Sequence, residues 1–149
     1  LLTLLKDDIR RSQFSILNYT DQYLLQIIPA MKERVSFVKE YLTKSPYFFE
    51  APKEYEEAAV QKNWKPGTPE LLKKLHDTFA LLVNPTKEDY EHTLAKVAEE
   101  LTVGKGKLIH PLRLAVSGMS TGPGVFDIVS ILGKDEVSNR IQTALERIK

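Results

Sequence analysis

The chain has 149 residues, 42% of them apolar and 28% charged, and no cysteine. That length and balance suit one globular domain or two small subdomains sharing an interface, and the missing thiols exclude disulfides and the cysteine ligands of zinc ribbons. Twenty-one Lys and Arg against 20 Asp and Glu leave a net charge of +1, which by itself names no partner. Residues 1–103 carry 14 basic and 16 acidic side chains, whereas residues 104–149 carry seven and four, so the C-terminal third is the better candidate for an anionic partner.

In chain order, the opening "LLTLLKDDIRRS" has an apolar run far too short to span a bilayer and lacks the basic-then-apolar order of a signal peptide. It also lacks an initiator Met, so a piece of a longer protein is expected. Thr20 or Asp21 can cap the segment "QYLLQII", after which Pro29 starts a new helix or kinks a continuing one. Met31, Val35, Val38 and Leu42 recur at steps of four, three and four, one face of a helix. "SPYFFEAP" interrupts this pattern with two prolines and reads as a connector pinned by Tyr47, Phe48 and Phe49.

"NWKPGTPE" is the clearest boundary. Pro66-Gly67 marks a turn, Thr68 suits an N-cap, and Pro69 suits the first helical position, where its missing N–H costs nothing. Leu72, Leu75, Phe79 and Leu82 then trace a helix stopped by Asn84-Pro85, and Thr86 caps another with the face Tyr90, Leu94, Val97 and Leu101. Gly104 and Gly106 are its stop signals. "VFDIVSIL" suits a strand or a buried helix; an isolated strand would have no partner, so a helix is expected. Val137, Ile141, Ala144 or Leu145, and Ile148 form the last stripe, with acidic residues in its first turn and Arg147 and Lys149 at its end, as the helix dipole favours. The fold class expected is all-α, in two subdomains, residues 1–66 and 67–149.

A catalytic constellation is missing. His76, His92 and His110 sit in separate segments without metal-site spacing, and "AVSGMSTG" misses the G-x-S-x-G elbow. Neither "GMSTGPG" nor "GKGK" matches a phosphate loop, and neither follows a strand. Glu54, Glu56 and Glu57, like Glu99 and Glu100, read as solvated helix faces. Gly118, Gly122 and Gly124 read first as a helix stop and a tight turn.

Arg113 stands apart. In a helix over Leu108–Val116 it lies one position off the buried stripe, beside the turn at residues 118–124. Two readings stand: an ion pair with a carboxylate such as Asp127, which the chemistry alone favours, or a planar donor fork beside a glycine-rich turn and Phe126, suited to an unstacked nucleic-acid base.

"GKLIHPLRLAVSGMSTGPGVFDIVSILGKDEVSNRIQTAL" resembles the C-terminal end of bacterial glutamyl-tRNA synthetases. That family pattern runs Pro-Leu-Arg, a small-residue turn ending Pro-Gly, an aliphatic then Phe and an acid, and Leu-Gly-Lys before the final helix. Here these are Pro111-Leu112-Arg113, Pro123-Gly124, Val125-Phe126-Asp127 and Leu132-Gly133-Lys134. Upstream, "YLLQIIPAMKERVSFVKEYLTKSPYFF" resembles the first helices of the same region more loosely.

The resemblance implies an all-helical cage of two subdomains that binds the anticodon of a glutamate-accepting tRNA, cytoplasmic, monomeric and without a membrane partner. Catalysis, with its ATP and Mg, would lie in a separate part bearing HIGH-like and KMSKS-like motifs, neither of which occurs here. It places an anticodon-reading arginine on Arg113 and the turn that packs around the splayed bases on Gly122, Pro123, Gly124, Val125 and Phe126. The family often has Thr where this chain has Gly122. A second arginine, reading the third anticodon base, falls on Arg34, with Lys32 the competing position. The other class of function open to the residues is a non-catalytic helical protein-interaction domain.

Overall fold

A computed structural model of the chain describes residues 1–12, 19–32 and 40–148. Among the described residues every regular element is helical, as expected, and "VFDIVSIL" is a helix. No helix among them is long and apolar enough to cross a membrane. The chain forms two compact units, residues 1–50 and 51–149.

The first unit contains α1 (Leu2–Arg11), α2 (Asp21–Met31), α3 (Glu40–Lys44) and a 3-10 turn at Pro46–Phe48. Leu5 and Ile9, four apart, are the buried residues of α1, and Leu24, Ile27 and Met31 those of α2. Thr20 caps α2 by accepting the Tyr23 N–H at 3.1 Å, and α2 runs on through Pro29. The expected stripe members Val35 and Val38 lie outside the described residues. Tyr47, Phe48 and Phe49 are buried; the Tyr19 hydroxyl donates to Phe49 O and that of Tyr23 to Phe48 O. The aromatic connector is thus pinned as its composition implies.

The second unit is built from α4 (Glu57–Asn63), α5 (Thr68–Ala80), α6 (Lys87–Leu101), α7 (Gly106–Ser117), α8 (Val125–Leu132) and α9 (Lys134–Arg147). Helix α7 packs against all five others, and its Leu108, Leu112, Ala115 and Val116 are wholly buried. Leu72, Leu75 and Phe79 of α5, Tyr90, Leu94 and Val97 of α6, Ile128 and Val129 of α8, and Val137, Ile141 and Ala144 of α9 complete the core. Phe79 meets Tyr90 edge to face at 5.1 Å.

Thr86 and Asp89 form a reciprocal capping box at the start of α6. Three expected helix signals differ. Thr68 is the first residue of α5, not its cap; its hydroxyl turns back to accept Lys65 N–H at 2.9 Å. Leu82 falls beyond α5, which ends at Ala80. The stop after α6 is Thr102, in the left-handed conformation at φ 55°, rather than Gly104, while Gly106 opens α7.

The division between units follows Glu50, whereas the sequence pattern suggested residue 66. Pro66-Gly67 is a turn inside the second unit, because the segment before it is tied there. Glu56 N–H donates to Gly118 O at 2.8 Å, α4 packs on α7, and Arg147 donates to the carbonyls of Pro52, at 3.2 Å, and Lys53.

Candidate nucleic-acid interface

The site starts from how α7 ends. Its last residues are too apolar to be solvated, so the helix is driven inward until Gly118, whose φ of +74° only glycine adopts cheaply, reverses the chain. Gly118 N–H bonds back to Leu114 O at 2.8 Å. A Cβ there would stand 2.7 Å from Glu54 O, so the position excludes side chains on two counts. The Ser117 hydroxyl donates to Arg113 O at 2.7 Å and accepts Met119 N–H at 3.2 Å, tying the helix end to the turn.

Arg113 and the turn come together. Half-buried on α7, Arg113 donates from Nη1 to Pro123 O at 2.7 Å. The carboxylate suggested as its partner, Asp127, instead accepts from Lys87 Nζ at 2.9 Å. That hydrogen bond, with the carboxylate charge behind it, raises the Lys87 pKa above its ordinary value.

Around the guanidinium the turn is mostly backbone. Gly122 has φ 144°, a conformation that an L side chain such as the Thr common in the resembling family rarely adopts. Gly124 is exposed and Phe126 half-buried at the start of α8, whereas Pro123 is buried and Val125 is only 3% exposed. Among the turn residues named from the sequence, the side chain of Val125 therefore belongs to the core and not to a surface. Arg34 lies outside the described residues. Lys32 is exposed at the end of α2, in the other unit.

Supports that the sequence reading missed lie elsewhere. Glu56 was read as part of a solvated helix face, yet it precedes α4 and accepts from Ser120 through both oxygens, at 2.9 Å from the hydroxyl and 3.4 Å from the N–H. Arg140, 4% exposed, donates from Nη1 to Val116 O at 2.7 Å and pairs through Nε with Glu136 at 2.7 Å. Its Glu-to-Arg spacing of four was the available signal; the contact to a distant carbonyl had none. His76 bridges α5 to α9, its Nε2 2.7 Å from the Ser138 hydroxyl.

This geometry offers a charged planar group held against a turn of small residues, with an aromatic ring beginning the next helix. Those are parts for recognising a flat, polar, partly apolar ligand. They do not form a donor set for a metal: no group of three or more His, Asp or Glu among the described residues could hold one.

A family model described as an anticodon binding domain matches residues 3–145. A glutamate–tRNA ligase from Chloroherpeton thalassium is 43% identical over 128 residues, 86% of this chain and 25% of that protein. One from Flavobacterium johnsoniae is 37% identical over 123 residues, 83% of this chain and 24% of that protein. The chain thus spans about a quarter of the length of the curated relatives it matches. The crystal structure of a glutamate tRNA ligase from Elizabethkingia meningosepticum, in complex with its amino acid, superposes with a TM-score of 0.92 at 33% identity, covering 99% of this chain and 29% of that one. On this match along nearly its whole length, the chain belongs to the anticodon binding domain family.

Proposed function

We propose that this chain is the anticodon-binding region of a glutamate–tRNA ligase and that it reads the anticodon loop of a glutamate-accepting tRNA at the turn beside Arg113. The observation that carries the reading is the Arg113 Nη1 to Pro123 O bond of 2.7 Å, which holds a guanidinium against a turn of small residues at the end of α7. An arginine fork can donate to the O2 and N3 acceptors of cytosine, whereas the same edge of guanine presents donors. The mismatch costs about 1–3 kcal/mol for each buried group left unpaired. Phe126 supplies a face on which a splayed base can stack, worth about 1–3 kcal/mol and largely indifferent to its identity.

In this reading Gly122 and Gly124 contribute backbone groups and the absence of side chains, Pro123 orients the guanidinium, and Val125 anchors the turn from inside the core. Arg34 is assigned to the third anticodon base through the resemblance, with Lys32 as its competitor. Glutamate ligation itself, with its ATP and Mg, belongs to the remaining length of such ligases, and no step of recognition runs through either. The chain acts as a monomer in the cytoplasm.

Fluorescence anisotropy with the anticodon stem-loop of a glutamate tRNA tests the proposal. Specific binding that weakens when the anticodon is changed supports it. No binding at low salt, or equal binding to any hairpin, replaces it with a helical protein-interaction domain. Arg34→Gln should narrow the preference for C over G at the third anticodon position; an unaltered preference moves that role elsewhere.

A further inference from the structure

At the opposite end of α7 from the glycine turn lies a cleft of about 490 Å³, formed where α4 ends and where α5 and α7 begin. Lys62 and Lys65 come from the end of α4 and the turn after it, Lys107 and His110 from the first turns of α7, and Leu71 and Pro111 supply apolar lining. No acidic residue lines it among the described residues. Gly67 and Gly104 also border the cleft, and a Cβ added to either would meet nothing within 4 Å. Lys65 Nζ gives one of its donors to Gln61 O at 2.7 Å, which holds the ammonium at the rim, and an ammonium has three.

The position of this cleft gives it meaning. Lys107, His110 and Arg113 are spaced by three along α7, successive members of one helix ridge, each rising about 4.5 Å from the last. The ridge faces away from the core: Lys107 and His110 are exposed and Arg113 half-buried, while Leu108 and Leu112 between them and Ala115 beyond are buried. A basic track therefore leads from the cleft to the guanidinium beside the glycine turn. We infer that the cleft binds the sugar–phosphate backbone of the same RNA strand whose bases are read at Arg113, its lysines taking phosphates and its apolar floor a ribose. A single-signed basic rim over an apolar floor, continuous with a base-reading group, matches a strand that is anionic at every residue and apolar between charges.

The inference rests on the proposed reading of RNA but assigns a different kind of contact, and the two separate experimentally. Phosphate contacts carry no sequence information and make binding steeply salt-dependent, whereas base contacts carry discrimination. The test uses the full chain with Lys62, Lys65 and Lys107 all changed to Gln, binding the glutamate anticodon stem-loop and an anticodon-altered stem-loop across a salt series. Affinity for both RNAs should fall by a similar factor of about tenfold or more at low salt. The slope of log K against log salt should flatten by about 2, near 0.7–0.9 per lost phosphate contact. The ratio between the two RNAs should stay unchanged. Arg113→Ala, measured alongside, should instead collapse that ratio.

An unchanged slope and affinity in the triple variant, with a circular dichroism melt matching that of the unaltered chain, overturns the cleft while leaving the base-reading turn standing. A flattened slope alongside an Arg113→Ala ratio equal to that of the unaltered chain upholds the cleft and overturns the turn. A triple variant that loses discrimination instead of salt dependence overturns the assignment to backbone phosphates.

Discussion

Gly118 carries two constraints at once, a left-handed backbone and a Glu54 carbonyl 2.7 Å from where a Cβ would sit. Left-handed backbone costs an L residue about 1–2 kcal/mol, and the close carbonyl adds to it. Gly118→Ala should therefore lower unfolding free energy by about 2 kcal/mol or more in urea, shifting the midpoint with little change in slope. Tyr90 makes a pH prediction. Burial, with Asp135 adding to it, raises the pKa of its phenol above 10.0. The folded chain therefore holds that proton more tightly than the unfolded chain does. Stability is unaffected below pH 10 and declines as pH rises past it. Tyr90→Phe should flatten that decline in unfolding free energies measured from pH 8 upward, and an identical alkaline limb would deny Tyr90 its part.

Helix ends show how elements, as opposed to single residues, are specified. The Thr86–Asp89 box satisfies the first amides of α6 from within the sequence, and Thr86→Ala should cost about 1 kcal/mol in equilibrium unfolding. Other ends are closed by distant side chains. Lys134 Nζ donates to Ala80 O, in the last residue of α5, at 3.4 Å and to Leu82 O, just beyond it, at 2.8 Å, and Arg140 closes the end of α7 through Val116 O. This gives the lysine of the Leu-Gly-Lys motif, the first residue of α9, a structural task. Arg140→Leu leaves a buried carbonyl unpaired and should cost about 1–3 kcal/mol in the same measurement. Lys134→Met should cost less, because its ammonium lies nearer to solvent.

At the scale of the whole molecule, Arg113→Ala should reduce discrimination between cognate and altered anticodons by about 1–3 kcal/mol in paired anisotropy titrations, and an equal loss for both RNAs would contradict a base-reading role. Much of this architecture was legible beforehand. Apolar residues at steps of three and four are a local property, so α5, α6 and α9 could be traced, and the Thr86 cap rests on residues three apart. What escaped was non-local. Pro66-Gly67 has the composition of a linker, but contacts made by residues 52–56 decide which unit that segment joins. Glu56 could not be recognised as a support for Ser120, 64 residues away. The bond from Arg113 to Pro123 O could not be foreseen, because carboxylates announce themselves in sequence and backbone carbonyls do not.

The bond from Glu56 N–H to Gly118 O bears on where the chain can be cut. A truncation beginning at residue 67 keeps α5 to α9 with Arg113 and the turn at residues 122–126, yet it strips the outer wall from that turn. Gly118 loses its amide donor and the carbonyl beside its Cα, Ser120 loses both bonds to Glu56, and Arg147 loses the carbonyls of Pro52 and Lys53. Such a shortened protein would present the recognition residues on a loosened hinge. The smallest portable piece that keeps the Arg113 turn walled therefore begins near residue 51.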